Sequence, residues 1–314
     1  MQIEAPNAVE CGEGSDTRTP LKKKYTHWET EVDRKQNQDA IIGYDFKKRS
    51  VDKATLTTQR DLLIRYGNYF DKPSVERIES ELGSNKVEIY NSPYFASHFA
   101  QDHGNYIVTG LRTVKDGKIC LRDTDNVESL THTATHEAVH DSSFQRERAG
   151  AGTLEGIGGQ DIGFSRAENM SGIERIEKLD TTTSEGVERC DLVRVNRYLN
   201  EGFTELCTIE EMERRGETPD FTSYTEELGW AYAIRERVGE EIAAGAYFGG
   251  DVATLEKKVN SMSDIPNAWR ILNDHIDAFH VCDDVQERNQ HKKVIEDIIL
   301  SLRGSREFGG RKVR

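Results

Sequence analysis

The chain has 314 residues, enough for one large domain or two small ones and for a sizeable buried core. Hydrophobic residues make up 35% and charged residues 31%, and no stretch approaches the roughly 18 to 20 consecutive apolar residues of a membrane span, so a membrane protein is excluded. Lys and Arg number 42 and Asp and Glu 56, and the net charge of −14 argues against broad contact with nucleic acid or anionic membranes, because phosphate binding depends on clustered basic side chains.

The cysteines bear on the compartment in which the chain functions. There are five of them, widely spaced and without a C-x-x-C pair, which favours reduced thiols in a reducing compartment. The start of the sequence also lacks the basic and then apolar pattern of a Sec signal. We therefore expect a cytoplasmic protein, or one exported without a Sec signal in the manner of an effector. The cysteines are Cys11, Cys120, Cys190, Cys207 and Cys282.

The first part of the chain predicts an arm followed by a small α+β region. Residues 1–52 are polar and irregular and are interpreted as a flexible N-terminal arm. The elements expected next are helices over 54–70 and 73–82, and strand-like runs at Asn105–Thr109 and Lys118–Arg122 that are joined through the turn Lys115-Asp116-Gly117.

The stretch from Asp125 to Ser142 is the best-defined predicted helix. Asp125 is expected to cap its N-terminus, with Glu128 three residues later as in a capping box. Apolar residues at helical spacing form one stripe along this helix, and they are Val127, Leu130, Ala134 and Ala138.

The second half of the chain predicts a loop and then a helical region. Residues 148–190 are Gly-rich and are interpreted as a loop or lid, because no Gly-Lys-Ser/Thr closes the run as in a phosphate-binding loop. We predict an α+β, mainly helical fold, with one subdomain over 53–147, a helical subdomain over 191–302 and a basic tail over 303–314. The helices expected from Leu192 onward run to about Arg215, with Leu199, Phe203 and Leu206 on one side, and then over 223–247, 252–262, 267–279 and 285–302.

A candidate metal site lies inside the helix that ends at Ser142. Residues His136 to His140 read H-E-x-x-H. Two histidines four residues apart lie about 40° apart around a helix, so both imidazoles can reach one ion. Glu137 lies about 100° around from His136 and can reach a metal-bound water without being a ligand. The alternative is a chance occurrence of the pattern.

A catalytic zinc site usually has three protein ligands, so a third residue is needed. Ser143 and Arg146 stand where a metzincin has Gly and His, and the related pattern with Asp also fails. Glu201 and Glu205 form another pair four residues apart, and one carboxylate can bind zinc while the other accepts the spare ring N–H of a histidine. His132, one turn before the motif, is a further alternative. An ordinary solvated helix face is the other interpretation of the Glu pair.

H-E-x-x-H followed by a helix with N-E-x-x-x-[DE], here Asn200-Glu201-Gly202-Phe203-Thr204-Glu205, resembles the gluzincin metallopeptidases of the thermolysin-like clan. The resemblance covers two short segments. It implies a zincin-like fold with a small antiparallel sheet beside the H-E-x-x-H helix, a Zn²⁺ cofactor and a peptide or protein substrate. The residue roles that it implies are His136, His140 and Glu201 as zinc ligands, Glu137 as general base, and Glu205 as the hydrogen-bond partner of His136.

A second resemblance concerns the form Asn-Glu-Gly-x-Thr-Glu. Together with Tyr224-Thr225-Glu226-Glu227 and Ala246-Tyr247-Phe248-Gly249-Gly250-Asp251, it is similar to small bacterial zincin-like proteins. The Gly-rich insertion makes the separation between His140 and Glu201 longer than in thermolysin. Glu205 and Glu185 therefore remain alternatives to Glu201 as the third ligand.

Peptide hydrolysis also needs a donor to the developing oxyanion. Tyr224 is the first candidate, because it follows the ligand helix by about twenty residues and opens the next helix. The strand Lys118–Arg122 precedes the motif helix directly, and in zincins the strand at that place is an edge strand to which an extended peptide can add. Other candidate donors, each of which can instead be a packing residue, are Tyr198, Tyr232, His275 and His280.

The sequence thus predicts a zinc metalloendopeptidase. In this hypothesis Glu137 takes a proton from the zinc-activated water and returns it to the leaving amine. The alternative is a zincin-fold effector, toxin component or binding protein with restricted or latent proteolytic activity, although the intact Glu137 counts against it. A third hypothesis is a helical protein in which both motifs are accidental.

Overall fold

The computed structural model describes residues 31–82, 87–98, 109–112, 118–146, 170–182, 188–219 and 224–303. The chain divides into two units, Met1–Lys47 and Lys48–Arg314, and of the first unit the structure describes residues 31–47, which are helical. Several predicted features fall outside the described residues, and they are residues 1–30 of the arm, 105–108 of the first strand, the turn 115–117, the Gly-rich residues 148–169, Glu185, and 304–314 of the tail.

The described elements confirm an α+β, mainly helical fold. The helices are α1 (Glu31–Tyr66), α2 (Lys72–Glu81), α3 (Ser92–His98), α4 (Val127–Ser142), α5 (Arg197–Arg214), α6 (Thr225–Val238), α7 (Glu240–Gly249), α8 (Val252–Met262), α9 (Ala268–Val281) and α10 (Val285–Ser301). The strands are β1 (Val87–Tyr90), β2 (Gly110–Arg112), β3 (Ile119–Arg122), β4 (Gln145–Arg146), β5 (Met170–Ser171), β6 (Arg175–Thr182) and β7 (Glu188–Val195).

Helix α1 begins at Glu31, and not at residue 54 as predicted. The prediction of an irregular segment up to residue 52 is therefore wrong for residues 31–52. This stretch is polar but contains no proline, and it is rich in Lys, Arg, Gln and Asp, several of which are good helix formers. Side chains four residues apart also interact along it, as in the ion pair between Lys48 and Asp52. A polar composition therefore did not mean that residues 31–52 lack secondary structure.

A three-stranded mixed sheet lies beside α4. Strand β3 is the central strand, parallel to β1 and antiparallel to β2. The predictions of an antiparallel sheet and of an edge strand at Lys118–Arg122 are therefore wrong. Strand β1 was not predicted, because its buried residues Val87 and Ile89 alternate with half-buried ones over only four residues. Among the described strands it is β2 that lies at the edge next to α4.

Helix α4 carries the H-E-x-x-H motif and begins at Val127. The predicted cap is wrong, because Asn126 and not Asp125 occupies the capping position. The side-chain oxygen of Asn126 accepts hydrogen bonds from the backbone N–H groups of Glu128 and Ser129 at 2.9 and 3.3 Å. The predicted apolar stripe is buried along most of its length, at Leu130, Ala134 and Ala138.

Two long strands stand where a loop and the start of a helix were predicted. Strands β6 and β7 form an antiparallel pair in which Arg175 lies opposite Val195. The interpretation of residues 148–190 as a loop is thus wrong for 175–182 and 188–190, and Leu192–Val195 is strand and not helix. Helix α5 begins at Arg197 and buries Leu199, Phe203 and Leu206, as predicted.

The remaining helices follow the prediction with one difference. The helix predicted over 223–247 is divided into α6 and α7 at Gly239, whose φ of 98° lies in the left-handed region. Helix α8 has the predicted bounds, and α9 and α10 differ from theirs by at most two residues. These helices pack with α5 in the main hydrophobic core, which includes Trp230, Tyr247 and Trp269. Within the described residues, no helix is long and apolar enough to cross a membrane.

Candidate metal centre

Helices α4 and α5 face each other with ionisable side chains at matching intervals. Helix α4 presents His132, His136 and His140 at steps of four residues, and α5 presents Glu201 and Glu205 at the same step. Each step of four turns only about 40° around a helix, so each set lies on one face. The two faces meet because α4 and α5 pack against each other through the core of the second unit.

Three of these side chains converge at one point. Nε2 of His136 lies 3.2 Å and Nε2 of His140 lies 3.1 Å from the same atom, Oε2 of Glu201. Within the part of the chain that the structure describes, these residues form the only group of three His, Cys, Asp or Glu side chains whose ligand atoms all lie within 4.8 Å of one another. Two imidazole nitrogens and one carboxylate oxygen can together hold a metal ion.

Glu205 lies behind this group and contacts the opposite side of His136. Its Oε2 is 2.9 Å from Nδ1 of His136, and its Oε1 is 2.9 Å from Nε2 of His132. The alternatives of Glu205 and His132 as ligands therefore find no support in the geometry, since neither belongs to the convergent group. Glu205 instead occupies the place that the resemblance gave it, as the partner of His136.

The charges around His136 favour a cation. Burial disfavours ionisation of His136, but its hydrogen bonds to Glu201 and Glu205 outweigh this and raise the pKa of His136 to about 10. Burial likewise opposes ionisation of Glu205, and its two histidine neighbours nevertheless lower its pKa to about 2. Glu201 behaves in the same way, because the histidines lower its pKa well below the usual range. Both carboxylates are therefore ionised, and they place negative charge beside the convergent group of His136, His140 and Glu201.

His140 is held by hydroxyl groups that the sequence analysis missed. Its Nδ1 lies 3.0 Å from Oγ of Ser171 and 3.3 Å from Oγ1 of Thr204. Thr204 donates its own hydroxyl proton to the carbonyl of Asn200 at 2.9 Å, so Oγ1 is an acceptor for the ring N–H. Protonation at Nδ1 leaves the lone pair on Nε2, which is the nitrogen that faces Glu201. A clue was present in the sequence, since Thr204 follows Glu201 by three residues and shares its side of the helix.

The segment around Ser171 is fixed to α5 by asparagine side chains. Asn200 accepts a hydrogen bond from the backbone N–H of Ile173 at 3.0 Å, and Asn196 donates one to the carbonyl of Ile173 at 2.9 Å. Gly172, which lies between Ser171 and Ile173 in the sequence, has a φ of 58°, and a Cβ atom there would lie 2.3 Å from Oδ1 of Asn200. Only glycine fits this close approach, which brings Ser171 to His140.

Glu137 follows His136 directly and is buried, but it does not belong to the convergent group of His136, His140 and Glu201. It lies under strand β2, where a Cβ atom built on Gly110 would be 3.0 Å from Oε1 of Glu137. The carboxylate therefore packs against the edge strand β2. The sequence analysis did not single out Gly110, because no local pattern marks a glycine that touches a distant helix.

Tyr224 is the candidate donor that the structure brings to this site. Its ring stacks on that of His136, with a centroid distance of 5.5 Å and an interplanar angle of 10°. The negative charge of Glu201, then burial, then the charge of Glu137 raise the pKa of Tyr224 well above its usual range. The phenol thus keeps its proton and remains a hydrogen-bond donor.

The other candidate donors have different surroundings. Tyr198 stacks on His280 at 3.8 Å, and His280 Nε2 lies 2.6 Å from a carboxylate oxygen of Glu227. His275 contacts another histidine on α10, and Tyr232 is half exposed on α6. None of the described contacts of these four residues involves His136, His140 or Glu201.

A comparison of the chain with protein-family models gave no match, and comparisons with curated proteins and with solved structures gave none either. The site itself is defined by its donor set, in which each histidine presents Nε2 to one carboxylate oxygen and has a hydrogen-bond partner at Nδ1. Such an arrangement can hold a metal ion and orient its imidazole ligands, with an acidic and a phenolic side chain close by.

Proposed function

We propose that the chain is a zinc-dependent metallopeptidase of the gluzincin type, with a zincin-like arrangement of β2, α4 and α5. The observation that carries the proposal is the convergence of His136, His140 and Glu201 on one point, next to the buried carboxylate of Glu137. A site with two histidines and one glutamate is a donor set of catalytic zinc in peptidases. Both histidines have their other hydrogen-bond partners at Nδ1, so both Nε2 atoms face Oε2 of Glu201, where a metal would displace the second ring proton of His136.

His136, His140 and Glu201 would hold Zn²⁺, which would supply a Lewis acid and would lower the pKa of a bound water molecule to about 7. Glu137 would accept a proton from water as its oxygen adds to the peptide carbonyl, and would pass that proton to the leaving amine as the C–N bond breaks. Tyr224 donates a hydrogen bond to the carbonyl oxygen as it becomes negative. The stacking of Tyr224 on His136 supports this role, because it places the phenol beside a proposed ligand.

The substrate is proposed to be a peptide that binds in extended form along β2. On one side β2 pairs with β3, and among the described strands none pairs with its other side. An extended peptide can add to such an edge through backbone hydrogen bonds. Because Gly110 of β2 lies over Glu137, a peptide bound there passes close to the proposed base.

The proposal is tested first by zinc content per chain and by cleavage of a peptide library. We expect about one zinc per chain in the native protein and in Glu137→Gln, and loss of zinc in Glu201→Ala. Cleavage is expected in the native protein and absent in Glu137→Gln, because only the base is removed. Glu213→Ala is the matched control, since Glu213 is an exposed residue of the same helix.

Each other outcome points to a different function. Stoichiometric zinc without cleavage in the native protein would favour the binding or effector alternative. Iron in place of zinc would contradict the peptidase proposal, because two histidines and one carboxylate are also the ligand set of non-haem iron oxygenases. No metal in any of these proteins, after reconstitution as well, would overturn the proposed site.

A further inference from the structure

The five ionisable residues between α4 and α5 alternate along one line. Glu205 lies between His132 and His136, and Glu201 lies between His136 and His140. His136 is thus in contact with both carboxylates, through Nδ1 on one side and Nε2 on the other. The proposed metal site consists of His136, His140 and Glu201, so the contact between His132 and Glu205 needs a separate explanation.

The two carboxylates are used differently. Glu201 presents a single oxygen, Oε2, to both of its histidines, which makes that group convergent. Glu205 presents Oε1 to His132 and Oε2 to His136, each at 2.9 Å, so its two oxygens face different partners. Among the described residues, the ligand atoms of His132, His136 and Glu205 do not all lie within 4.8 Å of one another, as those of His136, His140 and Glu201 do. These three residues therefore do not form a second metal site.

We propose that His132 is a positioning residue of the metal centre, which acts through Glu205 to fix the orientation of His136. The inference rests on the proposed metal site. Nε2 of His132 lies 2.9 Å from Oε1 of Glu205, a close contact whose angle is outside hydrogen-bond geometry, and this contact limits the rotation of the carboxylate and directs Oε2 at Nδ1 of His136. His136 is then held with Nε2 toward the metal, in the tautomer that a ligand requires.

Burial explains why the side chain of His132, and not water, is needed to contact Oε1 of Glu205. The Glu205 side chain is fully buried and that of His132 is 6% exposed, so bulk water has little access to Oε1. Loss of the His132 contact leaves Oε1 of Glu205 in an apolar space, and Glu205 would lower the resulting cost by rotating. Rotation weakens its hydrogen bond to His136. Partners that orient a ligand histidine typically affect metal affinity by 10-fold to 100-fold.

The test is the zinc affinity of the full-length protein, measured by competition with a chelator, together with the visible absorption spectrum of the Co²⁺ form. We expect His132→Leu to bind zinc about tenfold more weakly and to change the Co²⁺ spectrum. His132→Gln keeps an N–H donor at a similar reach and is expected to restore most of the affinity. If His132→Leu does not fold, His132→Asn takes its place, because its shorter amide does not reach Oε1.

A double-mutant cycle shows whether His132 acts through Glu205. In a Glu205→Gln background, His132→Leu is expected to cause little further loss of zinc affinity. A merely structural role would instead give additive losses, and it would not be rescued by His132→Gln. His275→Leu is the control for loss of a histidine elsewhere, since His275 pairs with His291 between α9 and α10, and it should leave zinc affinity unchanged.

The outcomes separate this inference from the proposed function. If the native protein binds zinc and His132→Leu binds it equally well with an unchanged Co²⁺ spectrum, the inference is wrong and the metal site stands. Additive losses in the cycle, or equal losses in His132→Gln and His132→Leu, would also overturn it. If the native protein binds no zinc, the proposed site itself fails.

Discussion

Gly110 lies so close to Glu137 that no side chain fits between them. A Cβ atom at residue 110 would be 3.0 Å from both Cγ and Oε1 of Glu137, and 2.6 Å from Cγ2 of Thr133. The absent side chain therefore determines how closely strand β2 approaches helix α4. It also determines where the proposed base can lie.

Gly110→Ala is expected to reduce peptide hydrolysis while leaving zinc bound. The added methyl group overlaps Cγ2 of Thr133 and presses on Glu137, so the base must move by a few tenths of an ångström. A displacement of about 1 Å in a reacting group can cost on the order of 100-fold in rate, so a smaller loss is expected here. The metal group does not include Glu137, so zinc content should stay at the native level. Steady-state hydrolysis and zinc content measured on the same sample check this, and native activity in Gly110→Ala would show that Glu137 is not the base or has room to move.

Gly202→Ala is expected to destabilise the protein. Gly202 follows the proposed ligand Glu201, and a Cβ atom there would lie 2.2 Å from the backbone oxygen of Glu227 on α6. Alanine usually stabilises a helix relative to glycine by about 1 kcal/mol, but here α5 and α6 must separate. The expected loss is about 2 kcal/mol or more in the free energy of unfolding by urea.

The matched control for this prediction is Gly229→Ala. Gly229 lies in α6, and an added Cβ atom would have no neighbour within 4 Å. Here the helix propensity acts alone, so a gain of up to about 1 kcal/mol is expected. If both substitutions stabilised the protein, the close contact between α5 and α6 would be refuted.

The sequence could predict those parts of the site that depend on helix periodicity. Residues four apart share a helix face in any fold, so the pairing of His136 with His140, and of Glu201 with Glu205, follows from local spacing. The meeting of the two faces was an inference from the gluzincin resemblance. The hydroxyl groups at His140 could not be predicted in this way, because Ser171 reaches it from another segment.

The errors in the fold prediction also come from contacts between segments that are distant in sequence. Leu192–Val195 was assigned to a helix, but it belongs to a strand whose pairing with Arg175–Thr182 depends on residues distant in sequence. The edge position of Lys118–Arg122 follows from the zincin resemblance, and it is wrong because Val87–Tyr90, a short segment with little local signal, pairs with it in parallel. Helix boundaries and sheet order thus required contacts that no single segment encodes.

Removal of the metal is expected to lower thermal stability reversibly. A ligand that binds only the folded state stabilises it by about 4 kcal/mol at a thousandfold excess over its Kd. Without the cation, the carboxylates of Glu201 and Glu205 face only the histidines. The melting temperature should therefore fall after chelation and recover on addition of zinc. Glu201→Ala should show a much smaller response to zinc, and an equal response would indicate that zinc stabilises the chain at some other place.

The carboxylate of Asp277 on α9 is expected to make stability depend on pH without involving the metal. Burial, followed by the negative charge of Asp274, raises the pKa of Asp277 from 3.8 to about 6. The folded state therefore holds this proton more tightly than the unfolded state does. The stability associated with the proton is full below pH 3.8, and it is lost as the pH rises through 6.

Asp277→Asn removes this dependence, because the amide resembles the protonated acid and does not ionise. The variant is expected to match the native protein near pH 3.8 and to be more stable at pH 7.5, by about 1 kcal/mol once partial exposure is taken into account. Thermal unfolding at a series of pH values measures the difference. Asp297→Asn on the exposed side of α10 is the control, and it should change stability by less than about 0.5 kcal/mol throughout. A difference between Asp277→Asn and the native protein that stays constant with pH would mean that Asp277 titrates alike in the folded and unfolded chain.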